Sequence, residues 1–198
     1  MPASKKRSNG SRSRSTRGQT NSRSGKDAIS LLKQDHQHVR QLLKRLESDG
    51  SEELLSEVEN ELKVHTQIEE EIFYPAFKDA VESQKDEHLY YEALEEHHVV
   101  DLVLPEIKES AEGSEEFDAK AKVLKDLVEH HAEEEETQMF PKARKAMGID
   151  ELRELGMRLQ ERKQELMEEE QSEGAVGRML KPFTGGARKT AKNRRRAA

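Results

Sequence analysis

The 198-residue sequence contains no cysteine, few aromatic residues and no long apolar run. Without cysteine, disulfides, thiolate zinc sites, cysteine-ligated iron–sulfur clusters and thiol nucleophiles are excluded, and the composition fits a reducing compartment. No stretch approaches the roughly 18 consecutive apolar residues of a membrane span. The basic N-terminus is not followed by the apolar segment of a secretory signal. A cytoplasmic protein with no membrane partner is therefore expected. Strand-type alternation of apolar and polar residues is also missing, which leaves helix as the regular structure this composition favours.

Charge is plentiful but segregated. Residues 1–26 carry eight Lys or Arg and no acid, and residues 178–198 carry another eight and no acid. The other 18 basic residues face all 41 acids across residues 27–177, a formal charge of −23. The N-terminal stretch SKKRSNGSRSRSTRGQTNSRS and the C-terminal GGARKTAKNRRRAA are low-complexity polar sequence with almost nothing to bury, so both are expected to be disordered tails. One domain of ordinary size fits between them. The expected organisation is a basic tail over 1–26, a helical bundle over 27–147, an additional amphipathic helix over 148–173 and a second basic tail over 174–198.

Within the acidic middle, apolar residues recur at helical spacing. The first helix starts at Asp27, uses Leu32, Val39, Leu42, Leu43 and Leu46, and ends at the SDGS break. The second starts near Ser51 and runs through Leu55, Val58, Leu62, Ile68 and Ile72 to Pro75, where the missing N–H and the ring predict a kink or an end. The third covers 86–112, with Tyr90, Leu94, Val100 and Leu104 on one side and a bend at Pro105. Ser114 then caps the fourth, marked by Val123, Leu124, Leu127, Val128 and Met139 and ending at Pro141 or a little beyond. Short connections between long helices predict an all-α, up-down-up-down four-helix bundle. The additional helix, from about Asp150, uses Leu152, Leu155, Leu159 and Leu166. It suits either the end of this bundle or the surface of another subunit.

Two polar pairs interrupt the apolar faces. His65 and Glu69 are four residues apart, so they share a face with Val58, Leu62 and Ile72. His131 and Glu135 repeat the spacing in the fourth helix, and each histidine lies ten residues before a proline that follows an aromatic: Tyr74–Pro75 and Phe140–Pro141. The odd-numbered helices match too. DHQHVRQLL and EHHVVDLVL align His36 with His97. The chain thus reads as a duplicated helix pair, each copy offering one His from its first helix and a His-x-x-x-Glu from its second.

Burying carboxylates costs several kcal/mol unless they are paired or neutralised, and a cation between the helices resolves the cost. Four imidazoles and two carboxylates suit iron, manganese or zinc, whereas calcium and magnesium prefer oxygen shells. Two bridging carboxylates can hold two ions and leave positions free for a small ligand. Taken alone, either pair reads more simply as a hydrogen-bonded core histidine beside a partly exposed carboxylate; the duplication is what favours metal.

The set His36, His65, Glu69, His97, His131 and Glu135 resembles the haemerythrin-like HHE cation-binding family over residues 27–147. The resemblance implies a four-helix bundle, a non-haem, carboxylate-bridged centre of two irons, and chemistry with a diatomic or peroxide ligand: dioxygen, peroxide or nitric oxide. Oxygen-carrying members have a further His one turn after the third-helix ligand, where this chain has Asp101. The chain is more similar to the bacterial members associated with iron, peroxide or nitric oxide responses. Ferritin-like bundles use Glu-x-x-His, which only Glu95 and His98 satisfy here.

Other residues take lesser roles. His98 and His130 are the alternatives if the helix phases shift by one, His130 then pairing with Glu134. Tyr90 is expected to pack near the centre, Asp101 and Glu136 to ligate or to accept from ligand ring N–H groups, and His38 and His88 to be exposed. The 16 tail charges suit non-specific nucleic-acid binding without base stacking, or folding back onto the acidic core. A metal-stabilised scaffold whose tails bind nucleic acid is therefore the rival function.

Overall fold

The computed structural model describes residues 25–179, so most of both basic tails lies outside the described residues. Among the described residues all regular structure is helical. Helix α1 spans Ala28–Asp49. Helix α2 comprises Glu52–Ile68, a π-turn over Glu69–Phe73 and a last α segment, Tyr74–Ala80. Helix α3 spans Gln84–Lys108. Helix α4 comprises Glu115–Glu134, a π-turn over Glu135–Met139 and an α segment from Phe140 to the break at Gly148. Helix α5 follows that break and runs to Met179, beyond the expected boundary at 173.

Polar caps set the starts. The side chains of Asp27, Ser51, Ser83 and Ser114 accept from the backbone N–H groups of Ser30, Leu54, Asp86 and Phe117 respectively. Each such cap stabilises its helix by about 1 kcal/mol. Gly50 ends α1 in the left-handed region (φ 58°), its N–H bonded to the Leu46 carbonyl. Gly148 adopts φ 78° and ψ 176°, a conformation open to glycine that turns the chain from α4 into α5.

At Pro75 the expectation is a kink or an end, and at Pro141 an end there or a little beyond. Neither Pro75 nor Pro141 ends its helix. The Tyr74 N–H reaches five residues back to the Glu69 carbonyl, and the Phe140 N–H does the same to Glu135. This wider turn displaces the carbonyls that the following proline ring would strike, so the helix continues past it. Pro105 likewise lies inside α3, which stops at Lys108, short of the expected 112.

The four helices close on each other, α1 beside α2 and α4, and α3 beside α4 and α2. Their apolar faces form two clusters. One holds Val39, Leu43, Val58, Leu62, Leu104, Phe117 and Leu124 among others. The other is aromatic, built on Phe73, Tyr74, Phe77 and Phe140. Val123, expected inside, is 50% exposed, because the inner stripe of α4 runs through Phe117, Ala121, Leu124 and Val128.

Helix α5 belongs to the same core. Leu152, Leu155, Leu159 and Leu166 are buried in the aromatic cluster, each adding roughly 2 kcal/mol of burial. Arg162 pairs with Glu71 at 2.8 Å and Lys163 with Asp35 at 2.8 Å, which lays α5 along α1 and α2. Gly156 permits the close approach: a Cβ there would stand 2.4 Å from the Lys26 carbonyl oxygen and 2.9 Å from the Ala28 nitrogen. Gly156→Ala is expected to push α5 off α1 and cost about 1–3 kcal/mol, read as a lower urea midpoint; an unchanged midpoint would show that α5 contributes little.

Candidate metal centre

His36 comes from α1, His65 and Glu69 from α2, His97 from α3, and His131 and Glu135 from α4. All six lie at 0–5% exposure, in a polar belt between the two apolar clusters. The inner stripe of each helix dictates this. On α3, for example, it passes through Ala93, His97, Val100, Leu104 and Ile107. Asp101 falls off that stripe and is exposed, so the expected role for it is corrected. His38, His88, His98 and His130 are also exposed.

The donor atoms form two halves. His36 Nε2 stands 3.1 Å from Glu135 Oε2 and 3.8 Å from Glu69 Oε1, and His65 Nε2 stands 3.3 Å from Glu69 Oε2. Across the belt, His97 Nε2 and His131 Nε2 face each other at 3.1 Å, with Glu69 Oε2 at 3.5 Å from the former and Glu135 Oε2 at 3.7 Å from the latter. Glu69 thus serves both halves: one ligand atom from each of His36, His65, Glu69 and Glu135 lies within 4.8 Å of the others, as do those of Glu69, His97 and His131.

Outer carboxylates fix the rings. Glu136 accepts from His36 Nδ1 at 3.1 Å and is itself held by Arg40 at 2.7 Å. Glu70 accepts from His97 Nδ1 at 2.8 Å, and Glu96 from His131 Nδ1 at 2.7 Å. Asp35 lies 3.9 Å from His65 Nδ1. A ring that donates through Nδ1 turns its Nε2 lone pair inward. Glu136 therefore takes the accepting role expected of it. Glu70 and Glu96 were not singled out in the sequence, although each directly neighbours a proposed ligand.

The centre is thus a concentration of acceptors. His36 Nε2, both nitrogens of His65, Glu69 Oε1 and both oxygens of Glu135 are buried without a hydrogen-bond partner, and the Nε2 atoms of His97 and His131 face each other at 3.1 Å. Protonation equilibria register the conflict. Burial drives the Glu69 carboxyl upward, and the nearby Glu135 charge adds to it. Burial pushes His65 down to about 4 and also lowers His97. His36 moves well above its ordinary value against the burial effect, because the carboxylates of Glu135, Glu136 and Glu69 converge on its two ring nitrogens. Glu135 is held low against burial, chiefly by the positive charges that His131 and His36 carry when protonated. The bond from His36, assisted by Arg40, holds Glu136 at about 2.

A bound cation would relieve this conflict. Two donors about 2.1 Å from one ion and at right angles lie about 3 Å apart, which is the spacing of the His97–His131 and His36–Glu135 contacts. Four imidazole nitrogens with carboxylate oxygens are a borderline donor set.

One further group reaches the belt. Tyr74, fully buried, places Oη 3.2 Å from His97 Nε2, 3.5 Å from His131 Nε2 and 3.4 Å from Glu69 Oε2. In an α-helix a residue five after Glu69 turns off its face; the π-turn brings it back. The corresponding residue of the other copy, Phe140, stacks on His36 with ring centroids 5.8 Å apart. The duplication is therefore broken by one hydroxyl. Tyr90 takes the packing role expected of it, against Tyr74 with centroids at 6.3 Å.

Bundle and belt together define a helical protein with a buried histidine–carboxylate cation site. Residues 27–143 match the hemerythrin HHE cation binding domain, and the chain belongs to that family. No curated protein and no solved structure matched the chain significantly.

Proposed function

We propose that the chain is a non-haem di-iron protein that binds, senses or reacts with dioxygen, peroxide or nitric oxide in iron or oxidative-stress handling within the cell. The observation that carries this reading is the division of the buried donors into two halves that share Glu69. Bound iron would supply redox-active positions for a small ligand. His36 and His65 would hold one ion and His97 and His131 the other, with Glu69 and Glu135 between them; zinc or manganese are the rival occupants.

The surroundings suit a small ligand. On the side away from the aromatic cluster, the four histidines floor a pocket walled by Val39, Leu62, Val100, Val128 and Ala132, with room for a water-sized guest. The partly exposed Thr66 lines its rim. Apolar walls favour a diatomic and exclude larger or charged substrates. On the opposite side Tyr74 brings a hydroxyl to the His97–His131 half. Burial, reinforced by the nearby carboxylates, raises its pKa well above the ordinary value, so in the cation-free protein it keeps its proton.

Metal content and the near-ultraviolet and visible spectrum of protein purified aerobically from iron-supplemented cells test the proposal. About two irons per chain, with absorption bands that vanish in a Glu69→Ala/Glu135→Ala variant, are expected. Zinc, or no metal, in the folded parent would overturn it.

A further inference from the structure

The belt is shut off from water, so a hydrated cation needs a path to it. The apolar pocket offers no carboxylate on the way, only the Thr66 hydroxyl at its rim. A different opening lies between α3 and α4, on the aromatic side. It is a water-sized cavity lined by Glu92, Glu96, Glu134 and Glu135, with Ala93 and Met139 among its walls. Its inner end is Glu135, which is 2% exposed, turns Oε2 to His36 and leaves Oε1 without any hydrogen-bond donor.

Next to this cavity, the partly buried Glu96 and Glu134 and the exposed His130 bring one ligand atom each within 4.8 Å of one another. His130 Nε2 lies 3.7 Å from Glu96 Oε1, while Glu96 Oε2 holds His131 Nδ1 at 2.7 Å. Glu96 thus links the outer cluster directly to a ligand of the buried centre. Glu134 Oε1 accepts only the neutral Gln138 amide there, at 3.0 Å, a contact that a cation readily replaces.

We infer that Glu96, His130 and Glu134 form an outer docking site for a divalent cation of the ferrous class, from which the ion passes along the carboxylate-lined cavity to Glu135. The inference rests on the di-metal reading of the buried centre. One imidazole and two carboxylates are a set that captures a borderline ion without holding it as tightly as the fuller set inside. Successive carboxylates replace its waters one at a time, which an apolar wall cannot do. The acidic surface raises the local cation concentration at the mouth. His130 and Glu134 thereby gain a role distinct from the ligand role that a shifted helix phase would give them.

The test follows cobalt(II) uptake by full-length, cation-free protein in a stopped-flow instrument, reading the visible bands of the bound ion. The His130→Ala/Glu134→Gln variant is compared with the parent and with Glu57→Gln, which removes the same charge on exposed α2 surface. At low cobalt the variant is expected to load about tenfold more slowly or worse, reaching the parent's final stoichiometry, with Glu57→Gln at the parental rate. Parental loading in the variant, or equal slowing in both proteins, would overturn the route while leaving the buried site intact. A parent that takes up no cobalt would overturn the di-metal reading itself, and the route with it. Equal melting temperatures of the cation-free proteins confirm that the substitutions leave the fold unchanged.

Discussion

A cation-free Glu69→Gln/Glu135→Gln protein is expected to unfold at a higher temperature than its cation-free parent. The substitution keeps side-chain shape and removes two carboxylates that are 0% and 2% exposed. It also adds amide donors to a cluster composed of acceptors: His65 Nε2 lies 3.3 Å from Glu69, and His36 Nε2 lies 3.1 Å from Glu135. Buried carboxylates cost several kcal/mol each, and their pairing with protonated histidines returns only part of that. Replacing buried ion clusters by well-packed uncharged groups is often neutral or stabilising by about 1–4 kcal/mol when no charge is left unpaired, and here the histidines can lose their protons once the carboxylates are gone. For a chain of this size that corresponds to a rise of about 2–16 °C. Thermal denaturation with a chelator present measures it. A fall in melting temperature would show that shared protons already satisfy the belt, and would remove the argument that it is built for a cation.

The cost of burying these groups is also what made them legible in the sequence. His65–Glu69 and His131–Glu135 were visible because polar residues at helical spacing on an apolar stripe are costly, and cost without function is rare. The duplication then picked His36 and His97 out of eight histidines. The caps at Ser51 and Ser114 were legible because side-chain capping is local chemistry. Tyr74 was not, since its approach to the centre depends on a π-turn that no α-helical wheel contains. The prolines that follow those π-turns read as a kink or an end rather than as a wider turn. Glu70 and Glu96 escaped because their partners, His97 and His131, lie on other helices, and nothing in the spacing along one helix reports a contact across two. The position of α5 escaped for a related reason: four leucines declare an apolar face, but Gly156 against the Lys26–Ala28 backbone decides where it docks.

Loading the parent with its cation is expected to reverse the order of stability. A ligand that binds the folded state alone adds RT ln(1 + [L]/Kd), about 4 kcal/mol per site at a free concentration a thousandfold above Kd. Two occupied halves would add about 8 kcal/mol, more than the gain from glutamine. The loaded parent should therefore melt above the Glu69→Gln/Glu135→Gln variant, whose own melting point should scarcely respond to metal because a neutral amide is a poor ligand. Variants confined to one half refine this. His65→Ala touches only the His36 side and should keep roughly half of the metal-dependent increment, whereas Glu69→Gln alone should lose most of it, because Glu69 reaches His36, His65 and His97. Differential scanning calorimetry with and without added ferrous ion, under anaerobic conditions, separates these cases. Equal losses from His65→Ala and Glu69→Gln would mean that the two halves fill as one unit, and the centre would then have to be treated as a single cooperative site in which the carboxylate between the ions gives each half its affinity.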